Sequence, residues 1–133
     1  MAATPRLGNP AETVAAVEWW HFSDVEVVRV IDGDTVAFRV NVDIGFHVKA
    51  SAEVVVRLDG LNCPEKTDPM GMEATIFTTG WLLRNKGKIE LATRKSREKY
   101  GRWLGTIRAG QECLNDDLIN EGYARPYHGE RRI

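Results

Sequence analysis

Residues 25–42 read VEVVRVIDGDTVAFRVNV, and this stretch decides the fold class. Residues 25–31 are largely β-branched and apolar, which favours a strand. Residues 32–34, Asp-Gly-Asp, have the composition of a tight turn. From 35 to 42 apolar and polar side chains alternate, as they do in a strand with one buried face. The stretch therefore predicts a β-hairpin whose second strand is half-buried.

Further strands and helices are predicted downstream of this hairpin. Three segments contain β-branched or alternating apolar residues and predict strands: 52–58, 88–93 and 103–108. Residues 73–85 and 114–121 have apolar side chains at three- and four-residue spacing, which indicates helices that end near Gly87 and Gly122. The order β-β-β-α-β-β-α predicts a β-rich α+β fold, a five-stranded OB-fold barrel with a helix after the third strand and a C-terminal helix.

Residues 1–22 form a short N-terminal extension before the domain that we expect at 23–133. Asn9 is a good N-cap, the next residue is proline, and Glu12 lies three positions after the cap. This pattern predicts a helix that continues to about Trp20. Its apolar stripe is expected to dock on the domain or on a second copy, so the extension is a candidate homo-oligomer contact.

Composition limits the class of protein. With 133 residues, 43% hydrophobic residues and no apolar run near the roughly 20 residues of a membrane span, the chain is expected to make no membrane contact. Its first residues lack a secretory signal, so we expect a cytoplasmic or intracellular protein, unless a leader preceded this sequence. Cys63 and Cys113 have no zinc-binding spacing and are expected to be free thiols, although a disulfide stays open.

The net charge of −1 conceals a strongly basic segment. Residues 84–108 contain nine Lys or Arg residues and two Glu residues, a local charge of +7, so the remainder of the chain carries −8. Such a segment can bind a polyanion locally, or it can be a solvated strand-and-loop face.

Four short segments contain residue types suited to phosphodiester chemistry: VIDGDTV at 30–36, RLDGLNCPE at 57–65, KYGR at 99–102 and NEGYARPY at 120–127. Hydrolysis of a phosphodiester places negative charge on the phosphate oxygens, which a divalent cation and guanidinium groups can stabilise. Arginine is well suited because it donates two hydrogen bonds in a planar fork and stays charged. A carboxylate can deprotonate the attacking water.

In this order and at these spacings, the four segments resemble the staphylococcal nuclease family over about residues 25–128. The resemblance implies an OB-fold barrel and calcium-dependent hydrolysis of DNA, RNA or both, with little sequence preference. It implies three catalytic residues, namely Glu65 as the general base and Arg57 and Arg102 as phosphate ligands.

The same resemblance implies one Ca²⁺ ion, held by Asp34, Asn62 and the backbone carbonyl of Cys63. Lys99 and Tyr100 match positions that bind substrate phosphate. OB-fold surfaces also stack nucleobases on aromatic side chains, and the candidates for such a nucleic-acid contact are Tyr100, Trp103, Tyr123 and Tyr127.

Asn62 departs from the family pattern, which normally has an aspartate there. An asparagine keeps an oxygen ligand and removes one negative charge, and ligand charge is a main determinant of calcium affinity. We therefore expect an active nuclease that needs more metal. The alternative is a nucleic-acid-binding OB-fold module with weakened catalysis.

Residues 41–47 lengthen the hairpin before Arg57 and predict an extended β-ribbon. His47 in this segment is the alternative candidate for a substrate contact.

Overall fold

The structure is a computed structural model that describes residues 19–95 and 103–127. The strands of these residues are β1 (Trp20–Phe22), β2 (Val25–Asp32), β3 (Thr35–Gly45), β4 (Val48–Leu58), β5 (Leu61–Asn62), β6 (Glu90–Lys95), β7 (Trp103–Ala109), β8 (Glu112–Cys113) and β9 (Arg125–Pro126). The helices are α1 (Pro69–Arg84) and α2 (Leu114–Asn120). Neither of these helices is long and apolar enough to cross a membrane.

The predicted hairpin is formed by β2 and β3, and the pairing of Asp32 with Thr35 closes its turn. Val36 and Phe38 are fully buried and Val40 is 5% exposed, so the alternating face of β3 enters the core as predicted. Their burial is the main reason that the register is fixed, since a shift by one residue would turn these side chains to solvent.

The β3–β4 hairpin is long, as residues 41–47 predicted. β3 continues to Gly45, and β4 begins at Val48, four residues earlier than the predicted strand at 52–58. The Gly-Phe-His turn interrupts the alternating pattern, which is why the sequence did not reveal the start of β4.

The main sheet has the order β1-β6-β7-β4-β3-β2, with β8 added beside β7, while β5 and β9 form a separate pair. This path has two ends and more than five strands, so the predicted closed five-stranded barrel is not confirmed. The two end strands are consecutive in the chain, because Ser23 and Asp24 divide one extended segment into β1 and β2. The two halves pair with β6 and with β3, at opposite ends of the path.

The prediction of a helix that continues to about Trp20 is wrong at its C-terminal end, and the structure does not describe the rest of the predicted helix. Residues 1–18 lie outside the described part of the chain. Trp20 belongs to strand β1 and pairs with Thr93, and backbone pairing with β6 therefore replaces helix at this point.

The two predicted helices are present, with one boundary moved. α1 begins at Pro69 and not at residue 73, because Asp68 caps it by accepting a hydrogen bond from the Met70 amide at 2.9 Å. α2 begins at Leu114 as predicted. Trp81 of α1 is buried and donates from Nε1 to Asp117 of α2 at 2.9 Å, so the two helices are joined through the core.

Candidate active site

The turn between β2 and β3 is held against helix α1. The Gly33 carbonyl accepts a hydrogen bond from the Thr78 hydroxyl at 2.6 Å. A Cβ atom at Gly33 would lie 2.7 Å from the Cβ of Ala74 and 3.1 Å from the Sγ of Cys63, so only glycine fits this contact. The position of the next residue, Asp34, is therefore set by the helix as well as by the hairpin.

Asp34 joins three segments of the chain through its carboxylate, which is largely buried at 7% exposure. Oδ1 accepts from the Thr35 hydroxyl at 3.1 Å, and Oδ2 accepts from the Cys63 amide at 3.0 Å. An Nη2 atom of Arg57 lies 3.9 Å from Oδ2. The hairpin, β4 and the loop after β5 thus meet at one acidic side chain.

Arg57 lies on β4 directly opposite Thr35, at the end of the strand that adjoins the turn. It donates from Nη2 to the side-chain oxygen of Asn62, and its guanidinium carbon lies 5.9 Å from the centre of the Tyr127 ring. Because an arginine has five N–H donors, these contacts leave donors for a further anion.

The β5–β9 pair places Tyr127 beside Arg57. Asn62 pairs with Arg125, and the Tyr127 amide donates to the Gly60 carbonyl at 2.8 Å. This pairing joins the NEGYARPY segment to the RLDGLNCPE segment, two of the motifs that the sequence analysis singled out.

Glu65 is exposed and begins the tight turn that leads into α1. The Asp68 amide donates to the Glu65 carbonyl at 2.9 Å, which makes a turn just before the helix. Gly71 of α1 packs against the backbone of Pro64 and Glu65 so closely that a side chain would not fit there. The backbone at Glu65 is therefore supported by the first turn of the helix.

These segments surround an open cleft of about 920 Å³. Its lining includes the predicted site residues Asp34, Arg57, Asn62, Cys63, Glu65 and Tyr127. Trp103, a predicted stacking candidate, also lines the cleft. Tyr123 packs instead on Phe77, with ring centres 4.8 Å apart. Lys99, Tyr100 and Arg102 lie outside the described residues.

The cleft is also lined by two acidic residues, Asp32 and Glu53, that were not predicted as site residues. Asp32 was interpreted as a turn residue only, although its place two positions before Asp34 is a signal that both carboxylates can face one site. Glu53 lies on β4 opposite Arg39, within the predicted strand at 52–58, but no motif marked it as a site residue.

Cys63 has a poorly reactive thiol despite its place in the cleft. Burial, with the nearby negative charges of Asp34 and Asp32, raises the pKa of the Cys63 thiol to about 12. The thiol is therefore almost entirely protonated at neutral pH, and it is a weak nucleophile and a weak metal ligand. The described Cys63 and Cys113 are both free, as predicted.

The oxygen atoms in the cleft fit a hard divalent cation by their chemical type. Asp32 and Asp34 supply carboxylates and Asn62 supplies an amide oxygen, which are the ligands that calcium and magnesium prefer. The described residues contain no group of three or more His, Cys, Asp and Glu side chains that could hold an ion. The oxygen of Asn62 has Arg57 as a partner, and a carbonyl oxygen has a second lone pair for another.

Similarity to known proteins identifies the family of this chain. The family described as Staphylococcal nuclease homologue matches residues 55–132, which contain Arg57, Asn62 and Glu65. This chain belongs to the staphylococcal nuclease family. The match covers more than half of the chain and begins inside β4. It therefore includes the part of the cleft that β4 and the loop after β5 form.

Individual relatives agree with the family assignment. The chain is 34% identical to a thermonuclease of Staphylococcus hyicus over 106 residues, which cover 75% of this chain and 57% of that protein. It is 35% identical to a thermonuclease of Staphylococcus intermedius over 105 residues, which cover 74% and 56% of the two chains. A micrococcal nuclease of Shigella flexneri is 28% identical over 136 residues, which cover 96% and 71%. The chain thus spans little more than half the length of the two thermonucleases.

Proposed function

We propose that this chain hydrolyses phosphodiester bonds in DNA, RNA or both, with one Ca²⁺ ion as cofactor. The proposal rests on one observation, the meeting of Asp34, Arg57, Asn62 and Glu65 at a single cleft. Membership of a nuclease family and the names of the relatives support the same chemistry. In this proposal the β1–β2 segment, whose halves pair at both ends of the sheet, is the first strand of an OB-fold barrel.

Arg57 binds the phosphate in this mechanism. Its fork is oriented by Asn62 on one side and by the Tyr127 ring on the other, and it lies within 3.9 Å of the Asp34 carboxylate. A guanidinium held in this way needs little reorganisation when a phosphate oxygen gains negative charge, and such preorganised donors contribute strongly to catalysis.

Glu65 is the general base. Its side chain is exposed to the cleft, so water can reach it, and its backbone is braced by the start of α1. It takes a proton from the attacking water while Arg57 holds the phosphate. Arg102 is the second phosphate ligand in this proposal, and its sequence neighbour Trp103 lines the cleft.

Asp34, Asn62 and the backbone carbonyl of Cys63 would hold the cation, with Asp32 as an additional carboxylate nearby. When bound, the cation would supply positive charge next to the phosphate oxygens and lower the pKa of a water molecule. Lys99 and Tyr100 would bind neighbouring phosphates, and Tyr127 and Trp103 would contact the bases.

The test is a cleavage assay on single-stranded DNA, duplex DNA and RNA, with and without calcium. We expect calcium-dependent cleavage by the unaltered chain and a loss of about 100-fold or more in kcat for Glu65→Gln, since a positioned general base contributes 10²–10⁴-fold. Glu73→Gln is the matched control, because Glu73 is an exposed residue of α1 outside the cleft lining. Full activity in Glu65→Gln would refute the assigned role.

A second candidate is a nucleic-acid-binding module with weak or no catalysis. The observation that favours it is the engagement of the Asn62 oxygen by Arg57, since the usual carboxylate is absent. The same assay separates the two functions when binding of the oligonucleotides is measured in parallel. Binding without cleavage at any calcium concentration would select the second candidate.

A further inference from the structure

The β3–β4 hairpin continues past the rest of the sheet as a two-stranded ribbon, which we call the distal ribbon (residues 42–50). Among the described residues, β3 pairs with β2 only as far as Val40, and β4 pairs with β7 from Val56, opposite Trp103, onwards. Within residues 19–95 and 103–127, the two strands of the distal ribbon therefore pair only with each other, and both outer edges are free. A two-stranded ribbon is marginally stable by itself in water, so a partner that covers it would stabilise it.

One face of the distal ribbon is apolar and extends the face that enters the core. Val42 pairs with Ala50 on this face, two residues after the buried Val40. Val42, Ile44 and Val48 are 39%, 61% and 50% exposed. Apolar side chains that are buried at the base of the hairpin thus continue outward as an exposed patch.

The tip of the distal ribbon exposes an aromatic side chain at a cost in backbone strain. Phe46 is 98% exposed. Gly45, Phe46 and His47 all have positive φ angles, of 95°, 52° and 63°, a conformation that non-glycine residues rarely adopt. The turn is secured by Asp43, whose carboxylate accepts from the Gly45 amide at 2.9 Å. Strained backbone that is held by specific contacts is typical of functional segments.

The charges of the distal ribbon argue against a polyanion or an anionic membrane as the partner. Asp43 lies opposite Lys49, so the two charges cancel, and the ribbon contains no other Lys, Arg, Asp or Glu. Binding to nucleic acid requires cationic side chains that neutralise phosphates, and binding to anionic lipid requires a basic cluster. A neutral apolar surface whose strand edges are unpaired in the described part of the chain fits a protein.

The exposed area fits a second copy of this chain. One exposed aromatic side chain can bury about 150–250 Å², and with its aliphatic neighbours two copies would bury roughly 1,000 Å² in total, near the lower limit of specific interfaces. Because the ribbon has no net charge, two copies can approach without repulsion, and a two-fold contact places each Phe46 against the partner's apolar face.

We propose that the distal ribbon is a self-association surface, through which two copies of this chain form a dimer with Phe46 as the central anchor. The free edges and the apolar face of each ribbon are covered by the ribbon of the partner subunit. This surface lies apart from the residues that line the cleft, so the proposal does not depend on the nuclease function.

The test is sedimentation equilibrium of the full chain without nucleic acid. At about 100 μM chain we expect a mass close to twice that of the monomer, which requires a dissociation constant of roughly 1 μM or lower. Phe46→Asn removes the anchor but tolerates positive φ, so the fold is kept, and we expect dimerisation to weaken by at least about tenfold.

Ile76→Gln is the matched control, because Ile76 is 65% exposed on α1, away from the ribbon, and its loss should leave the dimer unchanged. A photo-crosslinking amino acid at position 46 should yield a covalent dimer. A monomeric unaltered chain, a Phe46→Asn variant that dimerises normally, or crosslinks within one chain only would each overturn the proposal. Cleavage activity has no part in these readouts, so a failure of the nuclease proposal is recognised separately.

Discussion

Asn62 stands at a position where the family resemblance implies an aspartate. Its amide oxygen accepts a hydrogen bond from Arg57, which in turn lies 3.9 Å from Asp34. The residue can thus orient the guanidinium that we propose binds phosphate, and it can also offer an oxygen to a cation. An aspartate at this position would attract both the Arg57 guanidinium and a bound cation more strongly, because it adds a full negative charge.

We therefore predict that Asn62→Asp lowers the calcium concentration needed for half-maximal cleavage by on the order of tenfold, because ligand charge governs calcium affinity. The measurement is a calcium titration of cleavage of a fluorescent oligonucleotide. Asn120→Asp serves as the control, since Asn120 is exposed at the end of α2 and receives the same charge change outside the cleft. An unchanged calcium requirement in Asn62→Asp would contradict a ligand role for this residue.

At the scale of elements, the β2–β3 turn and helix α1 behave as one unit. Thr78 donates to the Gly33 carbonyl, and the helix backbone and Ala74 side chain leave no room for a Cβ atom at Gly33. The turn determines where Asp34 lies, so the packing of a helix face determines the geometry of a side chain in the cleft.

Gly33→Ala is expected to destabilise the protein by about 1–3 kcal/mol, the usual cost of forcing an extra carbon into a packed contact. Activity should fall further than stability explains, because Asp34 and the Cys63 amide would shift. Gly80→Ala should instead stabilise the fold by about 0.5–1 kcal/mol, since Gly80 lies within α1 and its added Cβ would meet no atom within 4 Å. Both changes are measured by urea unfolding monitored by tryptophan fluorescence. Equal stability of the two variants would contradict this packing argument.

At the scale of the whole molecule, Asn115 connects three parts of the fold. Its side chain is buried, accepts from the Ile107 amide at 3.0 Å, and donates to the carbonyls of Asp59 and Gly105 at 3.0 Å each. It thereby joins α2 to strand β7 and to the turn between β4 and β5. That turn leads directly into Asn62, so the contact supports the cleft as well as the core.

Asn115→Ala should reduce the free energy of unfolding by roughly 3 kcal/mol, because an unpaired buried polar group costs about 1–3 kcal/mol and both the Ile107 amide and the Asp59 carbonyl lose their Asn115 partner. Thermal and urea unfolding provide the measurement. Asn120→Ala in the same helix is the control and should change stability by less than about 0.5 kcal/mol, as exposed surface substitutions usually do. A small effect at Asn115 would show that water or a local shift replaces its hydrogen bonds.

Much of the fold was predictable because it depends on residues close in sequence. Three features depend on local patterns: the alternation after residue 34, the apolar spacing of the two helices and the lengthening of the hairpin. The structure contains the strands and helices that these patterns predict. Four residues of the cleft were predictable for a different reason. Asp34, Arg57, Asn62 and Glu65 fall in motifs whose order and spacing match the family, and all four line the cleft.

The sequence by itself therefore determined the β2–β3 hairpin, strands β6 and β7 and the two helices, and it pointed to four of the residues that line the cleft. Only the tertiary structure decided that Asn62 faces Arg57, that Asp32 and Glu53 join the cleft, and that one extended segment divides into β1 and β2. Asp34 and the Cys63 amide are 29 positions apart, and such contacts depend on how distant elements pack. A local pattern records which face of a strand or helix is buried, but the partner of that face is selected by packing and hydrogen bonding across the whole molecule.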